Sequence, residues 1–199
     1  KMLRIYSTLI EMLAAAVFIV PIMVIYNRIF FHSRRRTVVY ILFGLYFVAI
    51  LALVGFPNIK SRNIDVSINV IPFIDMASDS VNACLNVLLF VPYGFLLPVL
   101  WSKFRSVKEC AIIGLVTSCI IEISQIFTFR TTDINDLITN TIGAVLGYYI
   151  AQYITVKFTK HMIHDSKDRD FYIICVSIVF IMFFLQPFIS FRLWEMMLR

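Results

Sequence analysis

Ser118, Glu122 and Gln125 recur at helical spacing inside an otherwise apolar run. A polar turn follows, Phe129-Arg130-Thr131-Thr132-Asp133-Ile134-Asn135-Asp136, and beyond it Asp136, Asn140, Gly143 and Gly147 share one helical face. Upstream, Asn82 and Asn86 lie four residues apart on one face, with Tyr93 on the same stripe. Two kinds of chemistry suit this set. As a binding site, Asn82, Asn86, Glu122, Gln125, Arg130, Asp133, Asp136 and Asn140 would hold a polar head group. Arg130 would pair with phosphate or carboxylate through its fork, and the acids and amides would accept hydroxyl or ammonium protons. As an enzyme, Glu122 would be a buried general base and Asp133 and Asp136 acids or metal ligands, with Arg130 stabilising negative charge. Ser118, Ser124, Thr131 and Thr132 are merely nearby hydroxyls, and no recognisable nucleophile is present. A structural alternative is an ion pair and amide network that simply ties helices together.

The elements that carry these residues belong to a membrane. The chain has 199 residues, 60% hydrophobic and 15% charged, with a mean hydropathy of +0.87. A soluble domain has about 45–50% apolar and about 25% charged residues. A chain this apolar would expose more hydrophobic surface than a soluble monomer tolerates, and it is too rich in aromatics for disorder. Six apolar runs stand out, approximately Ile5–Tyr26, Val38–Phe56, Val81–Trp101, Glu109–Phe127, Leu137–Val156 and Phe171–Ile189. The expected fold is therefore all-α, a polytopic transmembrane helix bundle of about six spans, or five if one run does not cross. The first run is too long for a signal-peptide core and is read as a retained helix, although the sequence begins at Lys1 rather than Met. Residues 1–37 form a first helix and basic loop, 38–156 a transmembrane core, and 157–199 a second basic loop, a last helix and a tail.

Basic residues set the expected orientation. Arg28, Arg34, Arg35 and Arg36 occupy the first loop, Lys103, Arg105 and Lys108 the third, and Lys157, Lys160, Lys167 and Arg169 the fifth. These eleven of the 18 Lys and Arg place loops one, three and five in the cytoplasm and both termini outside. The net charge of +6 thus reflects membrane topology, and no nucleic-acid partner is expected. The polar residues then gather near the outer leaflet. An ionisable side chain in a span costs about 2.5–3.5 kcal/mol at the helix centre on insertion scales and so faces a partner or a wet cavity. For Glu122 the expected partner is Arg130 or an asparagine of a neighbouring helix. A transporter or flippase is the third reading. Below Glu122 and Asn140, however, the spans offer few polar groups, mainly Tyr93, Thr117 and Ser118, which argues against a path through one chain.

Other motifs have plainer readings. Gly143-Ala-Val-Leu-Gly147 is a GxxxG pattern for close helix packing, within the chain or between copies in an oligomer. Pro92 and Gly94 are expected to kink their helix. Arg34-Arg35-Arg36 would anchor at anionic lipid head groups, and Glu11 either snorkels to the interface or joins the outer pocket. His161 and His164 lack a third ligand, so no metal is expected, and no cofactor fingerprint is present. Cys84, Cys110, Cys119 and Cys175 have no paired spacing and read as free thiols.

Four blocks taken together carry a family resemblance: Asn69-Val-Ile-Pro-Phe73, Asn86-Val-Leu-Leu-Phe-Val-Pro-Tyr-Gly94, Glu122-Ile-Ser-Gln125, and Arg130-x-x-Asp133-x-x-Asp136-x-x-x-Asn140-x-x-Gly143. In order and spacing they resemble the VanZ family over roughly Val38 to Thr155. The resemblance implies a bacterial, multi-pass protein of the cytoplasmic membrane. It also implies lowered susceptibility to teicoplanin, a lipoglycopeptide, without remodelling of cell-wall precursors. The expected partners are membrane lipids and either a lipid-linked cell-wall precursor or the antibiotic, whose acyl tail would bring it to the outer leaflet.

Overall fold

A computed structural model describes residues 2–60, 68–69, 80–128, 132–158 and 166–197. It is helical almost throughout, and its long helices fall into two compact units.

The first unit contains α1 (Met2–Tyr26), α2 (Arg34–Val54), α6 (Asp168–Phe180) and α7 (Gln186–Met197). α1 widens into a π turn over Asn27–Phe31 and ends where His32 adopts a left-handed conformation at φ 49°. Ser33 then starts α2, its hydroxyl accepting the Arg36 N–H at 3.5 Å. The triplet Arg34-Arg35-Arg36 is therefore the first turn of a helix and not loop. Gly55 ends α2 at φ 73° and donates its N–H back to Ala52, a backbone geometry that glycine adopts without a Cβ penalty. A second π turn, Ile181–Leu185, joins α6 to α7, and the Phe183 carbonyl accepts the Ile59 N–H at 3.1 Å. Lys60 lies beside that turn with its ammonium over Phe188 and Phe191, 4.5 and 4.7 Å from the ring centroids. Inside the unit, Tyr40 donates to Asp170 at 3.4 Å, and Tyr26 and Ser177 share a 2.8 Å bond. α2 packs on α1.

The second unit contains α3 (Ser80–Leu100), α4 (Val107–Gln125) and α5 (Ile134–Phe158). The pairs β1 (Ile68–Asn69) and β2 (Thr132–Asp133) run parallel, Asn69 opposite Asp133. α3 continues through Pro92 and Pro98, then turns at Ser102–Phe104 on the buried anchors Trp101 and Phe104. Tyr148 of α5 fixes that turn by donating to the Arg105 carbonyl at 2.9 Å.

Glycine sets the spacing in this unit. A Cβ on Gly94 would strike the Ala144 carbonyl, one on Gly143 the Val87 carbonyl, and one on Gly147 the Val91 carbonyl. On α4, a Cβ on Gly114 would fall 2.7 Å from the Ala144 Cβ. The GxxxG face is thus spent on α3 of the same chain, and Gly94 serves backbone approach. Among the described residues, four helical stretches, Tyr6–Phe31, Arg34–Val54, Ser80–Leu100 and Asp168–Met196, are long and apolar enough to cross a membrane. α4 and α5, which the sequence also counts as spans, fall short of that apolarity because they carry Glu109, Glu122, Asn140, Gln152 and their polar neighbours.

Gly147→Ala and Gly94→Ala should each destabilise the protein by about 1–3 kcal/mol through overpacking against backbone. Gly44→Ala, where the nearest atoms are side-chain carbons at 3.5 and 3.6 Å, should be neutral. Unfolding of the three variants in detergent, followed by loss of near-UV signal, tests the contrast. Equal stability of all three would contradict the close α3/α5 approach.

Candidate functional site

The polar cluster is built around the start of α5. Asp133 precedes the first helical residue, and its Oδ1 accepts the Asn135 N–H at 2.9 Å, the bond of an N-cap. Its Oδ2 accepts from the Asn69 amide at 3.4 Å. In a capping box, the acid three residues into the helix reaches back to the cap's own N–H. Asp136 holds that position, yet its Oδ1 accepts instead from Asn86 of α3 at 2.7 Å. The Asp133 N–H goes to Glu122 of α4, whose Oε2 accepts it at 3.0 Å. Thr132 completes the seam by donating to the Glu122 carbonyl at 3.0 Å. One acid from each of two helices therefore orders a helix start that neither helix orders alone.

Deeper in the unit, Asn140 donates from Nδ2 to Ser118 at 2.9 Å. Tyr93 and Thr117 share a buried 2.9 Å bond. Glu122 is 2% exposed and Asn140 3%. Asn140 Oδ1 is buried without a hydrogen-bond partner. An unmade bond at a buried carbonyl costs about 1–3 kcal/mol. Asp133 and Asp136 are near enough for their charges to act on Glu122. Arg192 and Glu195 form an ion pair in the other unit.

The sequence-derived set is thus partly assembled. Asn86, Glu122, Asp133, Asp136 and Asn140 converge on the α3/α4/α5 packing. Gln125 is buried in the last turn of α4. Asn82 stands on the surface one turn before Asn86. Arg130, and with it the expected Glu122–Arg130 pair, lies outside the described residues, as do His161 and His164. Among the described residues, the partner found for Glu122 is the backbone N–H of Asp133. Glu11 belongs to the first unit and the cluster to the second. Among the described residues no group of three or more His, Cys, Asp or Glu is placed to hold a metal ion, and the four cysteines are free thiols. The sequence reading left Asn69 out of the site and gave Thr132 only as a nearby hydroxyl. Their role depends on a two-residue strand pairing across a gap of 64 positions. The available signal was the placing of Asn69 in a polar block between spans.

Fold and site define a multi-pass helical membrane protein in which a glycine-packed helix pair holds a buried acid and amide cluster. A family model, VanZ/LLP1, matches residues 18–156, and the chain belongs to that family. It is similar to Protein VanZ of Enterococcus faecium, with 39% identity over 85 residues, 42% of this chain and 50% of that protein. The chain thus spans half the length of that relative. No solved structure matches.

Coupling between Asn86 and Asp136 should be measurable. A double-mutant cycle with Asn86→Ala and Asp136→Ala should return about 0.6–1.7 kcal/mol, the range for hydrogen bonds between membrane helices. Glu122→Gln, which keeps an oxygen to accept the Asp133 N–H, should unfold close to wild type, and Glu122→Leu should be clearly less stable. A cycle energy near zero would place Asn86 and Asp136 apart in solution.

Proposed function

We propose that this chain lowers susceptibility to teicoplanin-type lipoglycopeptides. In this reading the acid and amide cluster is an outward-facing pocket near the outer leaflet that binds a lipid-linked envelope head group or the antibiotic. The observation that carries the proposal is Glu122. It is an acid 2% exposed in a membrane protein, and a side chain so placed belongs by default to a site. Its neighbours supply acceptors and amides from three helices, which suits recognition of a polar head group presented at membrane depth. Membership of the VanZ/LLP1 family and likeness to Protein VanZ give the reading its biological direction. Arg130 would contribute the phosphate or carboxylate contact.

Binding is favoured over catalysis by how the acids are used. Both Asp133 oxygens are engaged, one in the helix cap and one by Asn69. Asp136 is tied to Asn86. Acid–base chemistry by the three carboxylates together would break the bonds that order α5, whereas a head group could be held with them intact.

The direct test is teicoplanin susceptibility of a sensitive Gram-positive host expressing wild type, Glu122→Gln or Asp136→Asn at matched membrane levels. Wild type should protect, and both variants should return susceptibility to that of the empty-vector strain. Full protection by both variants would make the cluster structural only; no protection by wild type would overturn the resistance reading. Orientation has its own test, in a background without native cysteines. Lys60→Cys should react with a membrane-impermeant maleimide in intact cells, and Ser102→Cys only after permeabilisation. The reverse pattern would put the cluster on the cytoplasmic side.

A further inference from the structure

We infer that the first unit carries a binding site of its own, for the head group of an anionic phospholipid, formed by Arg28, Arg34, Arg35 and Arg169. The site is independent of the resistance reading. The four arginines stand at ends of three of the stretches that are long and apolar enough to cross a membrane, Tyr6–Phe31, Arg34–Val54 and Asp168–Met196. Short contacts hold those ends together. The Asn27 side chain accepts the Ser33 N–H at 2.8 Å, and the Asn27 carbonyl accepts the His32 N–H at 2.8 Å. These two bonds fold the π turn that carries Arg28 onto the start of α2. Arg169 lies over the Phe30 ring of the same turn, 5.0 Å from its centroid. Its neighbour Asp170 accepts from Tyr40 of α2 at 3.4 Å.

The protein does not spend these charges itself. Arg28, Arg34, Arg35 and Arg169 are exposed and make no ion pair among the described residues. Asp170 is buried beneath them, and Asp168, the exposed first residue of α6, offsets at most one of the four. Arg34 and Arg35 occupy the first turn of α2, where the helix dipole disfavours a cation, so the helix gains nothing from their charge. The apolar residues next along each helix select the partner. Arg34, Val38 and Leu42 recur at four-residue spacing on one stripe, with Val38 57% and Leu42 61% exposed. Val24, four residues before Arg28, is 46% exposed. Each stripe passes from a guanidinium to an open apolar surface along a span, the profile that an amphiphile matches with a phosphate at one end and an acyl chain beyond it. The guanidinium fork suits the phosphate. A soluble acidic segment would leave the apolar part of each stripe uncovered, and a zwitterionic lipid would bring its own cation toward the arginines.

The test uses the full chain in detergent, with native mass spectrometry as readout and phosphatidylglycerol and phosphatidylcholine of identical acyl chains as probes. Wild type should retain phosphatidylglycerol about tenfold more tightly than phosphatidylcholine, the scale of one charged hydrogen bond. Each basic residue near a lipid surface changes binding about fivefold, so Arg28→Gln/Arg34→Gln should cancel the preference. Arg28→Lys/Arg34→Lys keeps both charges and should retain most of it, which controls for folding. Lys103→Gln/Lys108→Gln removes the same charge from exposed positions of the other unit and should leave the preference unchanged. Equal retention of the two lipids by wild type, a preference that survives Arg28→Gln/Arg34→Gln, or an equal loss in Lys103→Gln/Lys108→Gln would overturn the inference. Tighter binding of a soluble acidic peptide than of phosphatidylglycerol would overturn it too, by assigning the surface to a protein partner.

Discussion

The second unit depends on how closely α5 can approach α3. In lipid there is little hydrophobic drive between helices, so association relies on packing and interhelical hydrogen bonds. Gly94, Gly143 and Gly147 remove the three side chains that would collide with the partner backbone. The approach brings short side chains within reach across the gap. Asn86 meets Asp136, and with α4 drawn against Ala144 the neighbouring faces join Asn140 to Ser118 and Tyr93 to Thr117. A single methyl at the crossing would act first on the Asn86–Asp136 bond, which joins the same two helices.

In the proposed reading, the cluster serves structure and recognition with the same atoms. Asp133 begins α5, Glu122 completes its cap from another helix, and Asp136 is released to bind α3. Carboxylates in the first turn also suit the positive end of the helix dipole. That favourable field helps to explain how several acids can share one corner of a membrane protein. What is left over is the Asn140 side-chain carbonyl, buried without a hydrogen-bond partner.

Much of this was legible in the sequence. Six helical runs emerge from hydropathy, and the Ser118–Glu122–Gln125 stripe and the Asp136–Asn140–Gly143–Gly147 face follow from a period of 3.6. The spacing of Asp133 and Asp136 fixes their place at a helix start. The partners were not legible. Periodicity says which residues share a face but not which helix that face meets, so neither Asn86–Asp136 nor Asn140–Ser118 could be paired. The bond that Glu122 makes among the described residues is from a backbone N–H, a donor that every residue but proline carries and no sequence pattern marks. The Asn69–Asp133 contact depends on a two-residue pairing too short for any periodicity to register.

The π turn at Ile181–Leu185 has a consequence for the last helix as a whole. A π turn holds one residue more than the α-helical turn it replaces, and one residue is about 100° of rotation. Everything after it is therefore out of phase with everything before it. Ile174 and Ile178 are buried on α6, whereas Phe188 and Phe191 on α7 come under the Lys60 ammonium. A helix without the extra residue would carry those two rings round to another side. The turn works as a phase shifter: it lets one continuous apolar segment present two differently directed faces, and it makes the facing of α7 depend on residue count as much as on residue type.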